Sequence, residues 1–270
     1  MERYAQINGI KLVYHDSGEG AVLVFLHGLG ETHDSWRHQI AFFSKSFRVI
    51  TPELRGHGQS DDGDVSITLA LMTDDTVALL NSLDIKQAHF CGLSMGALLC
   101  QELAVRYPQV IKSMTLADGA GFYPEEMATV GLEARLQRIK NMPMKELGAL
   151  IAEAASKPNA DPIELEKSRQ MFGSNRKVPY AQATVSTLTA DYRPYHAAMS
   201  NIPTFILVGQ LDPVTPIAFS QYLNEHIVGS KMQILPNASH LSKIDNPTAF
   251  NQALLEFLTP YEVEASRRLL

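Results

Sequence analysis

A serine with a glycine two residues away on each side, Gly92-Leu93-Ser94-Met95-Gly96, is the arrangement in this chain with the clearest chemical potential. It follows the apolar run 87–91 and precedes a helical period over 95–107, so the serine sits at the apex of a strand, a sharp turn and a helix. Only small residues fit two positions from such an apex, because the turn leaves no room for side chains. A hydroxyl held out on this G-x-S-x-G elbow is placed for nucleophilic attack. A neutral serine is a weak nucleophile, however, and it needs a base that is itself oriented by a third group.

For an elbow of this kind the acid, and then the histidine, come later in the chain. Of the nine histidines, His226 and His240 lie far enough beyond Ser94. His226 ends a helical period over 216–226, where a cation offsets the helix dipole. His240 follows the apolar run 232–235 and the loop 236–239, which sets it at the carboxyl edge of a sheet, where open α/β sheets bind ligands. His240 is the expected base. Asp212, in Gly209-Gln210-Leu211-Asp212-Pro213, leaves the same edge after the run 204–208. It is the expected acid, holding the far ring nitrogen and stabilising the imidazolium. Asp212 also suits an Asx turn before proline, and Asp118, after the run 113–116, is the rival acid. The oxyanion formed on attack needs preorganised donors. The Met95 amide, next to the nucleophile, is one; the Leu29 amide, in His27-Gly28-Leu29-Gly30, is the other. His27 is expected to pin that loop rather than take part in the chemistry, and Trp36 to pack the helix that follows.

These groups meet only if a sheet delivers them to one edge. Residues 3–7 and 10–15 alternate around Asn8-Gly9, the pattern of a hairpin. The run 21–26 is continuously apolar, as strands covered on both faces are, and 47–50, 88–91, 113–116, 204–208 and 232–235 are read as strands of the same kind. Helical periods over 35–44, 67–83, 95–107, 216–226 and 247–258 alternate with them, which predicts an α/β class with a mostly parallel, doubly wound sheet. Residues 119–198 break the rhythm. They hold helical periods such as 131–140 and 144–155, punctuated by Pro158, Pro162, Pro179 and Pro194, and are too long for a loop. The predicted division is therefore a core of residues 1–118 and 199–270 with a helical cap inserted over 119–198.

Composition narrows the function classes. A chain of 270 residues, 45% hydrophobic and 19% charged, suits a globular domain of enzyme size. Net charge is −6 with no basic run, which argues against a nucleic-acid partner. Cys91 and Cys100 lie in the apolar elbow region and are expected as buried hydrophobes in a reducing, cytoplasmic setting. The start, Met1-Glu2-Arg3-Tyr4, lacks the apolar core of a signal peptide, and no run reaches membrane-spanning length, so no membrane partner is expected. His33 and His38 are five apart, a spacing that does not suit zinc, and no glycine-rich phosphate loop follows a strand. No metal and no cofactor are expected. Arg135, Arg138 and Lys140 form a stripe that reads as a solvated face, with carboxylate recognition by Arg135 as the functional alternative. Phe122, Met127, Leu132, Met142 and Met171 suggest an apolar pocket in the cap, or simply its core. The tail 261–270 is read as packing on the domain or serving a neighbour, with its Arg267-Arg268 pair solvated.

Together with Phe25-Leu26-His27-Gly28-Leu29-Gly30 and Leu54-Arg55-Gly56-His57-Gly58-Gln59-Ser60-Asp61, the elbow and the Asp212 and His240 loops resemble the α/β-hydrolase superfamily, over essentially the whole chain outside the cap. Within it, Ala88-His89-Phe90-Cys91-Gly92-Leu93-Ser94-Met95-Gly96 is similar to the elbow of the 3-oxoadipate enol-lactonases. So are Asp212-Pro213-Val214-Thr215-Pro216 and Ser239-His240-Leu241-Ser242-Lys243-Ile244-Asp245-Asn246-Pro247. The resemblance implies Ser94, Asp212 and His240 as a catalytic triad and Leu29 and Met95 as oxyanion donors. It implies substrate-binding roles for Leu132, which stands near a position where those lactonases tend to carry tryptophan, and for Arg135. It also implies a serine hydrolase that cleaves a carboxylic ester or lactone through an acyl-enzyme. The same triad serves cofactor-free perhydrolases (haloperoxidase-like enzymes) and carbon–carbon bond hydrolases, and a non-catalytic ligand receptor on the same frame is the alternative of another class. The expected partner is a small-molecule ester or lactone; its identity and the oligomeric state stay open.

Overall fold

Asn8 and Gly9 both take left-handed dihedrals, with φ of 46° and 79°, as a two-residue hairpin requires. They join β1 (Glu2–Ile7) to β2 (Ile10–Ser17) in an antiparallel pair. The remaining strands of the computed structural model, which describes residues 1–267, are β3 (Val22–Leu26), β4 (Arg48–Pro52), β5 (Ala88–Leu93), β6 (Ile111–Ala117), β7 (Thr204–Gly209) and β8 (Lys231–Leu235). Arg268 of the tail pair lies outside the described residues. The sheet has eight strands in the order β1-β2-β4-β3-β5-β6-β7-β8, and every pairing from β4 to β8 is parallel.

That order has one functional consequence. From β3 the chain moves outward to β4, then returns to place β5 on the other side of β3. The loops leaving the carboxyl ends of β3 and β5 therefore diverge, and a crevice opens between them, as at any such switch point of a doubly wound sheet. The loop leaving β3 begins with His27-Gly28-Leu29-Gly30; the turn leaving β5 carries Ser94.

Cover on both faces explains the apolar runs of the inner strands, but β8, at the sheet edge, is not covered in this way and leaves Gln233 and Ile234 exposed. Along β3, Val24 and Leu26 join a cluster with Leu79, Leu98 and Met114, while Leu23 and Phe25 join one with Phe43, Phe250 and Leu254. The first face is covered by α2 (Leu69–Ser82) and α3 (Met95–Arg106), the second by α1 (Arg37–Phe43) and the long helix Pro247–Arg267. That helix runs beyond the expected stop at residue 258 and contains Pro260. Trp36 is fully buried against Phe25, their rings 4.6 Å apart, and Cys91 and Cys100 are buried free thiols. Among the described residues no helix is long and apolar enough to cross a membrane.

Between β6 and β7 the chain is helical, as an inserted cap requires. A π-helical turn over Met127–Gly131 leads into α4 (Leu132–Asn141), followed by α5 (Met144–Ala155), α6 (Pro162–Gly173) and α7 (Lys177–Leu188). Two of these helices begin at prolines that the sequence pattern suggests as breaks. Pro162 and Pro179 sit in the first turns of α6 and α7, where a missing N–H breaks no helical bond. Asp161 caps α6 by accepting from Ile163 and Glu164.

The motif 54–61 is anchored by Arg55, which donates to Asp75 on α2 from Nε at 2.7 Å and Nη2 at 2.9 Å, with both side chains buried. Replacing Arg55 with methionine strands a buried carboxylate and is expected to lower unfolding free energy in denaturant by about 3–5 kcal/mol. A loss under about 1 kcal/mol would show that this pair does not anchor the loop.

Candidate active site

Ser94 has φ 55° and ψ −113°, an unfavourable conformation for a residue with a Cβ. Its N–H donates to Ala117 O at 2.9 Å, tying the turn to the end of β6. The need for small neighbours is direct: a methyl on Gly92 would overlap the Gly96 carbonyl, and one on Gly96 would overlap the Leu26 carbonyl of β3. The turn leaves the serine half-buried at the floor of a cavity of about 450 Å³.

The structure brings Ser94, His240 and Asp212 into one hydrogen-bonded chain. Asp212 Oδ2 lies 2.9 Å from His240 Nδ1, and His240 Nε2 lies 3.0 Å from Ser94 Oγ. A carboxylate only accepts, so Nδ1 carries the proton and Nε2 is left to accept from the serine hydroxyl. Burial lowers the affinity of His240 for a proton, but the adjacent Asp212 charge and hydrogen bond outweigh it, and the ring's pKa is raised. Asp212 is at the same time the Asx turn that its position before proline suggests: Oδ1 accepts from Val214 N at 2.8 Å and Thr215 N at 2.9 Å. One carboxylate oxygen is thus held by backbone, and the other is free to face the imidazole.

Asp118 occupies a different position. Its Oδ1 accepts from Gly209 N at 2.8 Å, its Oδ2 bonds the Ser242 hydroxyl, and no bond joins it to His240 among the described residues. Full burial beside Asp212 pushes its pKa up to about 8, so it is largely uncharged at neutral pH. Thr215, which the sequence reading passes over, links the two acids: its hydroxyl lies 2.8 Å from Asp212 Oδ2 and 2.9 Å from the Asp118 carbonyl. Its signal was present in the Asp-Pro-Val-Thr spacing, which suits a side chain folding back on an Asx turn.

Leu29 lines the cavity floor beside Ser94, and Met95 is the first residue of α3. Neither amide has a protein acceptor among the described residues. His27 pins the loop as expected: Nδ1 donates to Gly28 O at 2.8 Å and Nε2 accepts from Leu54 N at 3.0 Å. Burial lowers its pKa well below the usual histidine range, so it stays neutral. His226 is remote, bonded to Tyr222 O at the end of the helix Ile217–His226.

The cap forms the remaining wall. Gly131, Ala134, Arg135 and Arg138 line the cavity, one face of α4 at helical spacing. Leu132 falls off that face and packs against the sheet-side apolar core instead, and Phe122, Met142 and Met171 are likewise off the cavity wall. Met127 is on it. Arg135 donates to Tyr180 Oη at 3.1 Å and has no acidic partner among the described residues. Tyr123, also on the wall, has its pKa pushed up to about 12 by burial and stays a neutral phenol. Much of the rest of the wall is apolar, with Ile151, Phe172 and Leu188 prominent, though Glu31 and Thr187 also lie on it. No group of metal-ligating side chains occurs among the described residues.

The His240 assignment is open to direct measurement. Its ring should titrate by NMR above the ordinary value of about 6.5, being charged below that midpoint and neutral above it. Asp212→Asn removes the two largest raising influences, its charge and its hydrogen bond, and leaves burial, so the midpoint should fall. An unchanged midpoint would mean that Asp212 does not control this histidine.

Comparison with known proteins agrees with this fold. Residues 21–146 match the family model described as the alpha/beta hydrolase fold. A 3-oxoadipate enol-lactonase of Acinetobacter baylyi is 34% identical over 235 residues, 86% of each chain. A 2-hydroxymuconate semialdehyde hydrolase of a Pseudomonas species is 27% identical over 95% of this chain and 93% of its own. Among solved structures, the enol-lactonase of Burkholderia xenovorans superposes with a TM-score of 0.88 at 30% identity, over 95% of this chain and 100% of its own. The chain belongs to the α/β-hydrolase family, with the 3-oxoadipate enol-lactonases among its relatives.

Proposed function

We propose that the protein is a serine hydrolase of a carboxylic ester or lactone whose acyl or alcohol part carries a carboxylate. The observation that carries the reading is the unbroken chain from Asp212 through His240 to Ser94, which ends at a serine on the wall of a cavity that Leu29 also lines. Ser94 Oγ attacks the acyl carbon as its proton passes to His240 Nε2, and Asp212 stabilises the imidazolium. The Leu29 and Met95 amides take the oxyanion, where each donor contributes roughly a hundredfold or more in rate. The imidazolium then protonates the leaving alkoxide. Water, deprotonated by the same ring, releases the acid and restores the serine.

The cap, assigned here to residues 119–198, supplies substrate choice. Arg135 is a half-buried cation on a mainly apolar wall, beside Arg138, and lacks an acidic partner among the described residues, which supports recognition of a substrate carboxylate. Leu132, packed away from the cavity, is left with no direct substrate contact in this reading. The enol-lactonase relatives favour a lactone within the ester class.

A panel of lactones, aryl esters and methyl esters, with and without a free carboxylate, tests this. Ser94→Ala should lose activity on every substrate by about a thousandfold or more; a variant at wild-type rate would sink the mechanism. Arg135→Gln should raise KM about tenfold or more for carboxylated substrates and leave neutral esters nearly unchanged. An equal change for both kinds would remove the carboxylate from the proposal.

A further inference from the structure

We propose that the buried pair Glu31–Lys243 is a positioning device for the oxyanion loop, and that Lys243 cancels a carboxylate charge the site would otherwise face. The proposal rests on the serine-hydrolase reading above. Glu31 Oε2 accepts the Gly28 N–H at 2.7 Å, so this carboxylate holds the residue immediately before Leu29. The same oxygen accepts from Lys243 Nζ at 2.6 Å. Glu31 is 1% exposed and Lys243 not at all. Glu31 lies two residues past Leu29 and Lys243 three past His240, so one ion pair ties together the loops on either side of Ser94.

Lys243 is held at both ends. Its ammonium sits 4.1 Å from the centre of the Trp36 ring, and its carbonyl accepts from Gln39 Nε2 at 3.0 Å. Gln39 in turn donates to Asn251 Oδ1 at 2.9 Å. Burial pulls the lysine pKa below its usual range and the Glu31 charge opposes that pull. The second oxygen of Glu31, Oε1, is buried without a hydrogen-bond partner, and the residue forms part of the cavity wall. A bare carboxylate on that wall would repel the oxyanion as it develops. With Lys243 in place, Glu31 can fix Gly28 without that electrostatic cost. The role therefore has two separable parts, an acceptor for Gly28 and a charge balance.

Two charge-free double variants isolate the acceptor. Glu31→Gln with Lys243→Met keeps an amide oxygen for Gly28, whereas Glu31→Ala with Lys243→Met removes it. The first should hold kcat near wild type on an ester the protein cleaves. The second should lose about tenfold or more in kcat, a misaimed donor costing less than a deleted one, with little change in KM. Phenylboronic acid, which adds to the serine oxygen as a tetrahedral anion, should weaken in step with kcat. Lys243→Met alone isolates the charge and should show the same kcat and boronate losses. Equal kcat and equal boronate affinity in the two double variants would overturn the positioning role. A folded Lys243→Met variant with wild-type values would overturn the charge balance. If Ser94→Ala retains activity, the serine-hydrolase reading fails first; if it is inactive while these variants match wild type, only the present inference fails.

Discussion

The close approach of strand and helix at the elbow is the constraint on which the rest of the structure depends. Gly96 lies against the Leu26 carbonyl of β3 and Gly92 against Gly96 itself, so the turn is as tight as a backbone allows. Ser94 is left at φ 55°, a conformation costing on the order of 1–3 kcal/mol. It persists because the surroundings over-determine it: its N–H is bound to Ala117, and the helix that begins at Met95 is buried along most of its length. The same tightness brings the start of α3 beside the end of β3. A looser turn would move the Met95 amide away from the Leu29 loop, and the serine would keep its hydroxyl but lose its setting.

Two acids stand behind His240, and their environments separate them. Asp212 is bound through one oxygen by two backbone amides, contacts that favour a carboxylate. Asp118 is sealed from solvent, and its neighbour's charge discourages a second one, so it holds its proton near neutrality. Such a group serves better as a brace than as an anion. Asp118 bonds Gly209 and Ser242 through its side chain and Thr215 through its carbonyl, the segments on which Asp212 and His240 are mounted.

Most of the core could be read from the chain because local pattern and global fold agree there. Buried strands had to be apolar on both faces, Asn-Gly had to turn, and the order serine, acid, histidine picked out residues that the structure brings together. The cap was less legible. Prolines stand in the first turns of α6 and α7, where they signal a break as readily as a beginning. Leu132 and Arg135 are three apart, yet the cavity takes the face carrying residues 131, 134, 135 and 138 and leaves Leu132 in the core. Glu31 and Lys243 were invisible for another reason. They are far apart in the chain, each looks like an ordinary surface charge, and only the fold buries them as a pair.

The division of labour follows from where rigidity resides. The hydrogen-bonded chain from Asp212 to Ser94 is mounted on strand ends, and neighbouring strands fix the position of each. The cavity wall opposite comes from helices of the cap, which pack on the core largely through side chains, with backbone contact where Leu241 N donates to Ala155 O at 3.1 Å. Changing a cap side chain reshapes the cavity without disturbing Ser94, His240 or Asp212. A relative that shares the core can thus act on a different substrate, and identity over the core speaks to chemistry more than to choice of substrate. In the proposed reading the cap contributes Arg135, a half-buried cation with no acidic partner among the described residues, whose charge a substrate carboxylate would balance.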